Sequence, residues 1–250
     1  MKYYCVINHY IISSEHEELS LNAIDSVRMT CPDALIVSVD DCSPIQSKDI
    51  EEASDIWITS SKNGKFAVSA NKGLQWVLDN EPGDAYVFYM NNDVELHEGW
   101  PEESERCFRD FAADAVGGLG YRTRGPYPHH NERYVSVGGR IDDHMFPGGF
   151  YIVTTKLLRE CGLYDEEYKN GVEDIDLFWR WKRAGKRLIM TPRIDYWHKE
   201  GATRYSDIMD QKGIQRVDIK ASENHFKEKW GFDGIKFLYT RILIDERINP

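Results

Sequence analysis

The segment Tyr86-Val-Phe-Tyr-Met-Asn-Asn-Asp-Val-Glu95 constrains the fold most: an unbroken apolar run that stops abruptly on Asn91-Asn92-Asp93. An apolar run of strand length, bounded upstream by Pro82-Gly83, reads as a strand buried on both faces, and such strands belong to parallel sheets covered by helices. The rest of the first half repeats the pattern. Residues 3–9 and 34–40 read as strands and 55–59 as a short one. Residues 15–29 read as a helix with Leu19, Ile24 and Val27 on one side, and Phe66, Ala70, Leu74, Val77 and Leu78 keep helical spacing. Alternation of this kind predicts an α/β fold with a mostly parallel central sheet flanked by helices.

The second half is less regular. Residues 115–120 and 148–153 read as strands, 156–161 as a short helix ended by Gly162, and 173–184 as a helix stopped by Gly185. Residues 187–190 and 194–197 read as strands around Pro192, and 206–230 as polar and helical. Between them, 121–147 is a long stretch rich in Arg, Pro, His and Gly, of a length that compact domains reserve for functional or mobile loops. No repeat or linker appears, so residues 1–250 are expected to form one domain. Within it, 1–95 is the ligand-binding half, 96–205 the irregular second half and 206–250 a helical extension.

Composition excludes several classes. A net charge of −11 without a basic run argues against nucleic acid as a partner. An acidic chain that binds a diphosphate needs local compensation, which a divalent cation supplies most simply. No apolar stretch reaches membrane-span length. The N-terminus runs directly into a strand pattern without a signal peptide, so a cytoplasmic location is expected, with peripheral attachment to a membrane left open. Cys5, Cys31, Cys42, Cys107 and Cys161 are scattered and never in C-x-x-C spacing, which suits reduced, mostly buried thiols.

Several motifs fall at strand ends, where open α/β sheets bind ligands. Asn and Asp clusters are commonest in plain turns. At Asn91-Asn92-Asp93, however, a buried strand precedes the cluster and ordered sequence follows it, which suits a held carboxylate. Such a carboxylate binds Mg²⁺ or Mn²⁺ while a diphosphate supplies further oxygens. Asp40-Asp41 either opens an Asx turn or accepts from the imide N–H of a uracil or thymine ring, and adjacent residues can do both. Residues 62–73, with Asn63 and Asn71, place amides and small residues at a helix start that either faces an anionic ligand or packs closely.

Glu173-Asp174-Ile175-Asp176 opens a helix. Compensation of the helix dipole explains the sign of the charge but not three carboxylates within four positions. Crowding raises one pKa and makes a general base. A lone histidine is usually structural, yet His198 follows a strand and can complete a metal sphere. Arg204 or Lys199 on the next loop can clamp a diphosphate. Gly148-Gly149 lets a ligand approach the backbone closely. Trp179, Trp181 and Trp197 are candidate stacking rings, with core packing the better expectation for two of them.

Taken in order, Val39-Asp40-Asp41-Cys42-Ser43, Asn63-Gly64 with Asn71-x-Gly73, Asn91-Asn92-Asp93, Gly148-Gly149, Glu173-Asp174-x-Asp176 and His198-x-x-Gly201-x-Thr203 resemble the family 2 glycosyltransferases. These are inverting enzymes with a GT-A, Rossmann-like fold. The resemblance spans residues 3 to about 205 and is nearest in flavour to rhamnosyl- and related transferases that decorate polysaccharides. Each piece is weak alone, and the order makes the set specific.

The resemblance implies Asp174 as catalytic base and Asp93 with His198 as metal contacts. It further implies a donor-binding set of Asp40, Asp41, Asn63, Asn71, Asn92 and Arg204. Gly148, Gly149, Glu173 and Trp197 fall on the acceptor side. It implies Mn²⁺ or Mg²⁺ as cofactor, a UDP- or dTDP-sugar donor with guanine left open, and a glycan or glycoconjugate hydroxyl as acceptor. Asn91 stands where the D-x-D motif has its first Asp, which raises the importance of His198. The Q-x-x-R-W motif of processive synthases is absent, so a single addition is expected. Two other readings are a sugar nucleotidyltransferase, whose Gly-rich loop after the first strand is missing from residues 8–14, and a non-catalytic carbohydrate-binding module.

Overall fold

The computed structural model describes residues 1–118, 121–124, 132–133, 141–142, 146, 149–203, 207–211 and 219–233. Its first half runs β1 (Tyr3–His9), α1 (Ser14–Thr30), β2 (Leu35–Asp40), α2 (Lys48–Ala53), β3 (Ile56–Thr59), α3 (Lys65–Asn80) and β4 (Tyr86–Asn91). Then come β5 (Val94–Leu96), α4 (Trp100–Phe111), β6 (Ala115–Gly118), β7 (Tyr121–Arg124), β8 (Glu132–Arg133), β9 (Ile141–Asp142) and β10 (Phe150–Thr154). The chain continues through α5 (Thr155–Cys161), α6 (Glu173–Arg183), β11 (Leu188–Thr191), β12 (Tyr196–Glu200), α7 (Asp207–Gln211) and α8 (Ile219–Trp230).

Eight strands form the main sheet in the order β3-β2-β1-β4-β10-β6-β11-β9. The first four are mutually parallel. β10 runs antiparallel to both neighbours, β11 is parallel to β6, and β9 is antiparallel to β11. The sheet is therefore mostly parallel, as the alternation predicts. Strand order reverses at β1, where β2 lies on one side and β4 on the other; the crevice beyond the strand ends at such a reversal is the ligand site of open α/β sheets.

The apolar strand residues divide between two cores. Tyr4, Val6, Val37, Val87, Tyr89 and Tyr151 pack with α3, α5 and α6, while Cys5, Ile7, Ile36, Phe88, Met90 and Phe150 pack with α1 and α4. Both faces are thus covered, which is why the strands read as continuous apolar runs. α3 lies especially close: a Cβ on Gly73 would stand 2.5 Å from Val6 Cγ1. Close helix packing is therefore what this glycine serves, and a larger residue would cost about 1–3 kcal/mol in overpacking.

Local signals start the helices. Ser13 accepts from the His16 N–H to cap α1, Ser47 caps α2 and Thr154 caps α5. α3 has no cap of its own: both oxygens of Asp41 serve it from outside, accepting from Gly64 N at 2.8 Å and Lys65 N at 3.0 Å.

Several expectations change. α2 and α4 were not expected. Three short strands, β7, β8 and β9, lie within the stretch expected to be irregular. The strand expected at 194–197 is β12, shifted so that His198 lies inside it rather than at its end. That shift comes from pairing with β5 on one side and β7 on the other.

Candidate active site

Asn92 and Asp93 form the turn between β4 and β5. Three contacts fix it. The Asn91 N–H donates to Gly149 O at 2.9 Å, the Lys199 N–H donates to Asp93 O at 2.9 Å, and Asn92 Nδ2 donates to Ser20 Oγ on α1 at 2.8 Å. The antiparallel register of β12 on β5 places His198 opposite Val94. The imidazole thereby comes to Asp93: Nε2 lies 3.2 Å from Asp93 Oδ1 and 3.5 Å from Asn91 Nδ2. Asp93 is 8% exposed and His198 6%. Gly149 lies directly under the ring, since a Cβ there would stand 2.8 Å from both Cε1 and Nδ1 of His198.

This pair suits a hard cation. Asp93 Oδ1 is buried and has no hydrogen-bond partner; His198 Nε2 is within ion-pair reach but not aligned as a donor. A buried carboxylate oxygen in that state costs at least about 1–3 kcal/mol, which a bound cation would relieve. Among the described residues, no group of three or more His, Cys, Asp or Glu is arranged to hold an ion. Asp93 and His198 would therefore supply two ligands, leaving the others to phosphate and water, as is usual for Mg²⁺ with phosphate ligands.

The second acidic cluster converges on the same part of the sheet through three tyrosines. Tyr89 stacks on Tyr151 with ring centres 5.7 Å apart, and Tyr164 Oη donates to Tyr151 Oη at 2.9 Å. Burial pushes the Tyr89 phenol well up, and the charges of Glu173 and Asp93 add to the effect. Burial, then Tyr151 and Tyr89, and also Asp174, raise Tyr164. Glu173 is buried and Asp174 partly so, with Asp174 Oδ1 accepting from Ile175 N at 2.8 Å. Asp176 is different: fully buried, it accepts from Arg180 Nε at 2.9 Å, Trp230 Nε1 at 2.8 Å and Tyr168 Oη at 3.2 Å, with Lys229 Nζ at 2.9 Å. Its oxygens are committed to the fold.

At the end of β2, Asp40 makes the expected Asx turn. Oδ1 accepts from Ser43 N at 3.1 Å in an Asx turn, while Oδ2 is buried without a hydrogen-bond partner. Asp41 caps α3; burial pushes its carboxyl up, against the pull of the two amides. Asn63 accepts from Lys65 N at 3.2 Å.

Asn71, expected on the donor side, is engaged within the fold. Its Nδ2 donates to Tyr164 O and Glu166 Oε1, and its Oδ1 accepts from Tyr164 N, all at 2.9 Å. Both amide hydrogens clamp α3 to the segment before α6. Lys199 is turned to Glu15 of α1 rather than held for a diphosphate. Trp197 is half-buried in β12 with its side chain opposite to His198, whereas Trp181 is core and Trp179 packs on Phe232. Gly148 and Arg204 lie outside the described residues.

The structure thus brings together Asp93, His198 and Gly149, with Glu173 and Asp174 across the tyrosines; Asp40, Asp41 and Asn63 gather at the next strand end. Sequence reasoning missed His16. It is buried on α1 with Nδ1 2.7 Å from Ser13 Oγ, and burial lowers its pKa while Glu15 and Asp93 pull the other way. Its only local signal is the preceding capping serine.

No protein-family model matches the chain, and no curated protein matches it in sequence. Solved structures do. TarS 1–349 of S. aureus in complex with UDP superposes with a TM-score of 0.62 at 13% identity, over 93% of this chain and 72% of that one. The same fragment with UDP-GlcNAc gives 0.58 at 11%, over 93% and 74%. GalNAc-T7 with UDP, GalNAc and Mn²⁺ gives 0.63 at 14%, over all of this chain and 58% of that one. At these identities the likeness is one of fold: the chain has the fold of the GT-A glycosyltransferases. Among the described residues, no helix is long and apolar enough to cross a membrane. All five cysteines are free thiols, with Cys42 exposed rather than buried.

Proposed function

We propose that the chain is an inverting, metal-dependent glycosyltransferase that moves one sugar from a UDP- or dTDP-sugar to a hydroxyl of a glycan or glycoconjugate. The observation that carries this reading is the buried Asp93 Oδ1, without a hydrogen-bond partner, beside His198 Nε2 at the strand-order reversal. The UDP and UDP-GlcNAc in the structural neighbours support a nucleoside-diphosphate donor.

Asp40 Oδ2 accepts from the N–H of the base, and the Asp41-capped start of α3 lines the same crevice. Asp93 and His198 would hold Mn²⁺ or Mg²⁺, which would supply neutralisation of the charge on the departing diphosphate. Asp174 takes the proton of the acceptor hydroxyl. The freed oxygen attacks C1 of the sugar, and the bond from C1 to the β-phosphate oxygen breaks with its electron pair on the nucleoside diphosphate. Gly149, Glu173 and Trp197 are assigned to the acceptor side, and Gly148 and Arg204 are carried with the resemblance. Addition of one sugar during polysaccharide synthesis in the cytoplasm completes the reading.

The test is thermal stability against UDP-, dTDP- and GDP-sugars with and without Mn²⁺. One nucleotide class should raise Tm only with metal, by mass action. Asp93→Ala should remove that metal-dependent rise. A rise that is equal without Mn²⁺ would refute the metal assignment, and tight donor binding with no turnover on a broad acceptor panel would leave a binding module.

A further inference from the structure

The turn that delivers Glu173 and Asp174 is strained and held from outside. Gly171 has φ +87° and Val172 φ +59°. A β-branched residue in the left-handed region is a genuine outlier, costing of order 1–3 kcal/mol and persisting only where its surroundings over-determine it. Val172 is also the N-cap position of α6 and gives it no side-chain cap. Neither feature supports the turn from within.

The support comes from α8. Ser222, 1% exposed, accepts on one hydroxyl oxygen from two successive backbone N–H groups, Lys169 N at 3.1 Å and Asn170 N at 3.2 Å. Ile219, one turn earlier on α8, packs over Gly171, where a Cβ would meet its Cγ2 at 3.3 Å. The helix is anchored at its far end: Trp230 Nε1 donates to Asp176, Lys229 Nζ reaches Asp165 at 2.6 Å, and the His225 ring stands edge-on to Tyr168 at 4.7 Å. α8 is therefore fixed to both flanks of residues 169–172, and Ser222 is its one hydroxyl on the turn itself.

We infer that Ser222 is a positioning residue: it holds residues 169–172 in the strained conformation that aims Asp174 at the acceptor hydroxyl. This rests on Asp174 being the base, as proposed above. Loss of the hydroxyl frees two amides and lets the turn relax toward ordinary backbone, moving the carboxylate. Displacements of about 1 Å at a reacting group cost as much as 10²-fold in rate.

The test compares Ser222→Ala with Ser222→Cys and with Ser104→Ala, a buried α4 serine whose hydroxyl donates to Trp100 O. Ser222→Ala should lower kcat roughly 10- to 100-fold, keep the donor KM within about twofold and retain the donor-induced rise in Tm; Ser222→Cys, a weaker acceptor, should fall between. Ser104→Ala should lose a similar amount of Tm and keep kcat. Unchanged kcat in Ser222→Ala, or a loss of kcat in Ser104→Ala of the same size, overturns this inference and leaves the proposed function standing. Absence of turnover in the unsubstituted chain overturns both. If Ser222→Ala does not fold, Ser222→Cys is judged by the same split between kcat and KM.

Discussion

Substitution of Gly149 by alanine isolates what holds His198 in place. Gly149 is not among the residues with positive φ, so alanine meets no backbone penalty there. The new Cβ would stand 2.8 Å from two atoms of the imidazole, and the next nearest atom, at 3.4 Å, belongs to the same ring. The ring must give by roughly half an ångström to reach ordinary contact, and it is 6% exposed with Asp93 3.2 Å away. Overpacking of this kind costs about 1–3 kcal/mol. Against it stands the entropic gain of Gly→Ala in the unfolded chain, about 0.4–1 kcal/mol. The clash wins. For a domain of this size each kcal/mol lowers Tm by about 2–4 °C, so a fall on the order of 5 °C is expected without any ligand.

The same substitution should reverse sign once the ring is gone. In a His198→Ala background the Cβ of Gly149→Ala meets nothing closer than ordinary contact, so only the entropic gain remains and Tm should rise. A double-mutant cycle by calorimetry reads the difference as a coupling of about 1–3 kcal/mol. If Gly149→Ala lowers Tm equally with and without His198, the ring is not what demands glycine. A Mn²⁺ titration adds a second measure: displacing the imidazole should weaken metal-dependent stabilisation about 10- to 100-fold in apparent affinity, as loss of ligand orientation does elsewhere.

The acidic cluster yields a pair of opposite outcomes. Asp174→Asn should keep Tm and donor binding while turnover falls about 10²- to 10⁴-fold; near-normal turnover would remove Asp174 as the base. Asp176→Asn should instead leave the Arg180 charge without its buried partner, costing about 3–5 kcal/mol, and a scan showing no loss of Tm would contradict that structural role. His9 gives a pH dependence: it is fully buried, and burial lowers its pKa to about 3 from an unfolded value near 6.5. The unfolded chain therefore takes up a proton that the folded chain refuses, and stability should fall as pH drops from about 6.5 to 3, by at most about 1.4 kcal/mol per pH unit. Denaturant midpoints across that range should flatten by one proton in His9→Gln, and an unchanged slope would mean His9 is not the group responsible.

Legibility in the sequence followed the range of the physical cause. β1 and β4 read directly because two apolar cores, one on each face, leave no polar alternation in their strands. The Asp40 turn was legible because an Asx turn is made within four residues. α2 was not, since Lys48–Ala53 buries only Ile50 and offers no periodic face. α4 does carry local signals, with Gly99 before it, Pro101 in its first turn and Glu102-Glu103 beside the proline. Asp93 and His198 each stood out as candidates, but their pairing depends on the register of β12 against β5, about a hundred residues apart, and nothing local encodes that. The contacts of Asn71 are hidden for the same reason: it lies inside α3, and its partner Tyr164 comes from far downstream.

That dependence on distant partners also separates the three carboxylates that the sequence crowds together. Compensation of a helix dipole would treat Glu173, Asp174 and Asp176 alike. The fold does not. Asp176 points into the body of the protein, where Arg180 from its own helix and Trp230 and Lys229 from α8 occupy its oxygens. A carboxylate whose oxygens are already taken up by an arginine and an indole N–H has none left to offer a substrate. The charges of Glu173 and Asp174 instead bear on Tyr89 and on Tyr151 and Tyr164, on the side of the sheet where Asp93 also acts. The helix turn that separates these positions thus sorts one acidic motif into an anchor, Asp176, and a pair, Glu173 and Asp174, whose charges reach the tyrosines. The anchor holds α8, and α8 through Ser222 holds the turn that carries the pair. On the proposed mechanism, the carboxylate whose oxygens the fold takes up is part of what keeps Asp174 aimed.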